Sequence, residues 1–168
     1  MNKSLRYIII YVFLVVLQLG IFNNVIIERG VIVFIYALFF IILPVRTPSW
    51  LMLILAFVTG LFYDSVFNTG GVHAFSTVFI AYFRSRILRI FANNFDIENA
   101  YRPGIKSMGV FNFLKFSFIL LFIHNLLIYF LEVFHFNNFF SNFLIVIINT
   151  LLTLVVCVLL DLLFKKES

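Results

Sequence analysis

Long apolar runs separated by short polar breaks dominate this chain. A bilayer core about 30 Å thick needs ~20 helical residues to cross it. Six runs approach that length: about 5–22, 25–43, 50–67, 71–90, 110–133 and 139–164. The runs are continuous rather than alternating, which excludes barrel strands. The second is the weakest, because Glu28 and Arg29 stand near its start and the uninterrupted part, Val31 to Leu43, is short. Pro44 and Pro48 then bracket a tight turn around Arg46, and Trp50 opens the third run as an interfacial anchor. The fourth run continues to Phe91 with Arg84, Arg86 and Arg89 set among apolar residues, a pattern that predicts an amphipathic extension along the membrane surface. Residues 93–109 are the longest polar connector, broken at Pro103-Gly104.

These elements predict an all-α integral membrane protein: one six-helix transmembrane bundle over residues 1–168. Composition agrees. With 64% hydrophobic and 11% charged residues and a mean hydropathy of +1.14, too little polar surface exists for a soluble domain. Lys3 and Arg6 ahead of an apolar run resemble the start of a signal peptide, but Asn23-Asn24 follows without a small-residue cleavage pattern. The run is therefore expected to remain as the first membrane helix.

Charge tests the count. With the N-terminus in the cytoplasm and six crossings, Lys3, Arg6, Arg46, Arg84, Arg86, Arg89, Arg102, Lys106, Lys165 and Lys166 all fall on the cytoplasmic side. Lys115 snorkels to it, and only Arg29, beside Glu28, falls outside. The positive-inside rule supports that arrangement. It also accounts for the pI near 9.6 without nucleic acid.

Candidate chemistry concentrates at the break between the third and fourth runs, where Asp64, Asn68, Thr69, Gly70, Gly71 and His73 form a polar elbow expected at the outer surface. An ionisable residue at the edge of apolar runs suggests function by default. Asp64 is expected either to cap a helix and bond the turn or to meet a partner. Gly70-Gly71 permits backbone angles that larger residues resist. Gly60 and Ala56, four apart, offer a surface for close helix approach. His73 is expected to be an interfacial hydrogen-bonding residue. Glu132 and His135 share its side, yet no metal site is expected, because zinc wants three or four ligands.

Within the spans, His124 and Asn125 are expected to face the bundle, with Asn149, Thr150 and Thr153 as partners. Asp161 is expected to pair with Lys165 one turn on. Cys157, the sole cysteine, is expected to be a buried hydrophobe, and no disulfide is possible within the chain. Arg84, Arg86 and Arg89 are expected to contact anionic lipid or a cytoplasmic partner. No nucleophile elbow, HExxH or phosphate-binding glycine loop is present, so neither an enzyme nor a cofactor is expected.

The order Gly60, Asp64, Gly71 and Ala81-Tyr82 resembles the MreD family of bacterial rod-shape-determining membrane proteins. Chain length, six spans, both ends inside and a basic connector after the fourth span extend the resemblance over the whole chain; residues 93–109 match no pattern of that family. The resemblance implies a non-enzymatic subunit of the cytoplasmic (inner) membrane. It implies docking to MreC, a single-span protein, within the cell-wall elongation machinery of MreB, the RodA polymerase and its transpeptidase. It also implies a fold similar to the substrate-binding S-components of energy-coupling-factor vitamin transporters. A vitamin-binding S-component, with Asp64, Asn68, Thr69 and His73 lining an outer pocket, is accordingly the alternative function. A small membrane enzyme is a third, weaker reading.

Overall fold

The structure is a computed structural model and describes residues 3–22, 31–91, 102–133 and 139–164. Every regular element among these residues is helical: α1 (Lys3–Leu17, continuing as a π-helical turn Gln18–Phe22), α2 (Ala37–Ile42), α3 (Ser49–Phe67), α4 (Val72–Phe91), α5 (Ile105–Met108), α6 (Val110–Val133) and α7 (Phe139–Phe164). Four helical segments are long and apolar enough to cross a membrane: Leu5–Phe22, Ser49–Phe67, Val110–Glu132 and Asn142–Leu163. α4 has a comparable length, but its three arginines set its composition apart.

The packing order is α3 on α4, α4 on α6 and α6 on α7. Large apolar side chains such as Ile54, Phe57 and Val58 on α3 and Leu151, Val155 and Leu159 on α7 point outward. The polar side chains Thr59, Thr77, Ser117, His124 and Asn125 point inward. This is inverted relative to a water-soluble bundle, and it suits a lipid surround with no water to satisfy exposed backbone groups.

The second expected span departs from a helix. Residues 25–30 lie outside the described residues, and in the described part only Ala37–Ile42 is α-helical. Residues 32–34 carry no regular structure, yet Val33 to Leu43 is buried throughout. Non-helical backbone at membrane depth requires partners inside the protein. Gln18 supplies them: its Nε2 donates to the Val33 carbonyl at 3.0 Å, and its Oε1 accepts from the Ile35 N–H at 2.8 Å. Gln18 opens the π-helical turn that ends α1 and is fully buried. One side-chain amide thus stands in for a neighbouring strand.

α2 stops inside the bundle, and its last carbonyls face the same requirement. Arg84, expected on the cytoplasmic surface against lipid, is instead 1% exposed. Its Nη2 donates to the carbonyls of Leu43, the residue just after α2, and of Ile41 (3.3 Å), and Nη1 lies 3.8 Å from Met52 Sδ. A cation at a helix C-terminus also complements the helix dipole. Alternating arginines do encode an amphipathic helix end here, but Arg84 lies on its inward face while Arg86 and Arg89 are exposed.

Candidate functional site

The polar elbow is a helix–turn–helix hairpin controlled by one carboxylate. α3 ends at Asn68, which adopts the left-handed conformation (φ 55°) and donates its N–H to the Asp64 carbonyl. Asparagine tolerates that region better than most residues. Thr69 N–H reaches the same carbonyl at 3.0 Å. Gly71, at φ +96°, immediately precedes α4. An N-cap residue normally offers a side-chain oxygen to the second and third helical N–H groups, and glycine has none. Asp64 reaches across from α3 in its place: Oδ1 accepts from His73 N–H and Oδ2 from Ala74 N–H, both at 2.9 Å. Thr69 Oγ1 donates to Oδ1 at 2.7 Å. The Asp64 backbone therefore closes α3 while its side chain opens α4. Of its two expected roles, the capping one describes this geometry.

Below the turn the two helices nearly touch. A Cβ placed on Gly60 would lie 2.2 Å from Ala74 Cα and 2.5 Å from Thr77 Oγ1. Thr77 Oγ1 also lies 2.9 Å from the Ala56 carbonyl, bonding α4 to α3. The expected close-approach surface of Gly60 and Ala56 is thus taken up within the chain by α4 and is not open to another protein. Gly70 meets no such constraint; a Cβ there would contact nothing.

His73 is 2% exposed and belongs to the interior rather than to an interface. Its Nδ1 lies 2.7 Å from the Tyr36 hydroxyl, which lies 3.1 Å from His124 Nε2. One hydroxyl thus links three elements: the 31–36 segment, α4 and α6. It carries one proton and must donate to one ring and accept from the other. His124 Nδ1 has no hydrogen-bond partner among the described residues. The buried Asn125 Oδ1 on the neighbouring residue likewise has no hydrogen-bond partner among the described residues. Aromatic rings enclose the chain: Tyr36 stacks on Tyr63 at 4.0 Å and His73 on Phe67 at 5.0 Å, with Phe34 edge-on to both imidazoles.

The α6–α7 seam carries the expected pairing, with Asn125 Nδ2 donating to Thr150 Oγ1 at 3.2 Å. Thr153 instead bonds the Asn149 carbonyl of its own helix at 2.7 Å. Asp161 is 2% exposed and paired with Arg102 at 2.6 Å, while its other oxygen accepts from Ile105 N–H at 3.1 Å. The 102–108 part of the connector is thereby tied to the end of α7, and α5 is capped from outside as α4 is. Lys165, the partner expected for Asp161, lies outside the described residues, as does His135. Glu132 is exposed, and among the described residues no three His, Cys, Asp or Glu side chains converge as metal ligands. Cys157 is buried and free. Tyr82 is 52% exposed and supports Arg86, whose guanidinium sits 4.7 Å from its ring.

Gln18 and Tyr36 were not singled out by sequence. A lone glutamine inside the apolar run to Phe22 was the available signal for the first. Tyr36 offered none, being one aromatic within an apolar run.

No family model, curated protein or solved structure matches this chain.

Proposed function

We propose that this chain is a non-enzymatic scaffold of a biological membrane, with its buried polar groups serving to fix helix ends. The particular reading is an MreD-like subunit of the bacterial cytoplasmic membrane, crossing six times with both ends inside. It would dock an MreC-like single-span protein and, through it, the peptidoglycan-synthesis machinery that sets cell shape.

One observation carries the scaffold reading. Asp64 and His73, the residues most suggestive of a ligand site, are buried and bonded within the chain. Asp64 also joins Gly60 and Gly71 in building the hairpin, and these three, with Ala81-Tyr82, are the positions on which the MreD resemblance rests. A vitamin-binding S-component would need Asp64 and His73 to face a cavity, and that weighs against the alternative.

Depletion in the native bacterium tests the reading. Rounded cells on depletion, together with co-purification of a single-span partner with the tagged chain in undepleted cells, are the expected result. Normal rods with lost uptake of a vitamin would overturn it in favour of transport.

A further inference from the structure

A groove of about 290 Å³ lies at the end of the hairpin opposite Asp64. Ser49, Met52 and Leu53 at the start of α3 face Ser85, Arg86 and Arg89 on α4 across it. Its electrostatics are one-sided. Arg86 and Arg89 are both exposed, and neither has a carboxylate partner among the described residues. Arg86 is held in place by the Tyr82 ring and by a 3.1 Å bond to the Tyr82 hydroxyl.

A third positive charge lies behind the wall. Arg84 is 1% exposed, touches Met52 through Nη1, and has no carboxylate partner among the described residues; its Nε has no hydrogen-bond partner there either. A buried guanidinium bonded only to neutral groups retains its whole field, and low-dielectric surroundings screen it weakly. Three guanidiniums within six residues of one helix repel one another, and an anion in the groove offsets that repulsion.

The surroundings identify the anion. Two guanidiniums match the oxygens of a phosphate, and the Ser49 and Ser85 hydroxyls can donate to the same group. Trp50, 64% exposed beside the groove, is the residue type that marks the headgroup layer. Ile54 and Phe57 continue the outward apolar face of α3 from there, a surface suited to acyl chains rather than to a free ion in water.

We propose that this groove is a discrete binding site for the phosphate of one anionic phospholipid, gripped by Arg86 and Arg89, with Arg84 adding positive charge from behind. The site does not depend on the identity of any protein partner. It differs from the diffuse attraction expected of a basic helix end, because it predicts one bound lipid.

Native mass spectrometry of the full chain in neutral detergent tests this, titrating phosphatidylglycerol, phosphatidylcholine or inorganic phosphate. The wild type is expected to retain one phosphatidylglycerol, roughly thirtyfold more tightly than phosphatidylcholine, from the two exposed arginines beside the headgroup. The double variant R86Q/R89Q is expected to lose that preference. K115Q, which removes an exposed charge elsewhere, is expected to keep it. R89Q alone involves a side chain with no bond among the described residues, so its expected severalfold weakening does not depend on the double variant folding. Equal retention of the two lipids, wild-type retention by R86Q/R89Q and R89Q, or equal loss in K115Q would each overturn the site. Displacement of the lipid by an equal concentration of inorganic phosphate would overturn the lipid as ligand.

Discussion

Replacing Asp64 with alanine removes the acceptor for the first turn of α4. His73 and Ala74, whose N–H groups bond Asp64, are 2% and 5% exposed, so water cannot take its place. Each buried donor left without an acceptor costs about 1–3 kcal/mol, and the two together predict a loss of roughly 2–6 kcal/mol. Ordinary caps are worth about 0.5–2 kcal/mol; burial places this one higher. For a chain of this size ~1 kcal/mol moves the midpoint by about 2–4 °C, so Asp64→Ala is expected to melt roughly 5–20 °C below wild type. Asp64→Asn keeps one acceptor oxygen but turns an amide N–H₂ toward the other backbone donor, and is expected to lose about half as much. Thr69 is only half-buried, and Thr69→Ala leaves a position that water can reach; its expected loss is under about 1 kcal/mol. The assay is thermal unfolding in detergent, read as the monodisperse fraction on size exclusion after heating. A midpoint for Asp64→Ala within about 2 °C of wild type would refute the capping argument. A group held in place for a ligand would behave that way in the ligand-free protein.

Three further substitutions follow from the same geometry. Gly60→Ala drives a methyl group into the α4 backbone at Ala74 and against the Thr77 hydroxyl; overpacking of this kind costs about 1–3 kcal/mol, and an unchanged melting midpoint would show that the helices are not in contact there. Gln18→Ala strips the Val33 carbonyl and Ile35 N–H of their partners, and hydrogen exchange at the Ile35 amide is expected to rise at least about tenfold, since ~1.4 kcal/mol is a factor of ten in an opening equilibrium. Tyr36→Phe leaves His73 Nδ1 and His124 Nε2 facing each other across an apolar ring. The expected loss is about 2–4 kcal/mol, and adding His124→Leu should then cost less than it does in wild type, because the three groups act as one network; full additivity of the two losses would count against the linkage.

The hydropathy pattern was sufficient for four membrane-length helices and for the break that makes the hairpin, because in lipid an apolar run of that length has few alternatives to a helix. It was also sufficient to mark Asp64 as a capping candidate and to turn Asn125 toward the polar stretch Asn149, Thr150 and Thr153, since a polar side chain in such a run turns inward; which of the three it meets was not legible. Periodicity could not separate a buried helix from a buried extended segment over residues 31–36. That choice was made by Gln18, which lies on another element and offers an amide in strand-like register. The fate of Arg84 was likewise set elsewhere: α2 ends inside the bundle, and its last carbonyls require donors, so one of three similar arginines is drawn inward. Gly60 shows the same division. Small residues four apart announce that two helices meet closely, but a single helix cannot specify its partner; the Asp64-capped turn brings α4 back onto that face. Apolar runs are a local property of the chain. Which buried polar group completes which broken backbone segment is a relation between distant residues, and only the folded chain brings them within bonding distance.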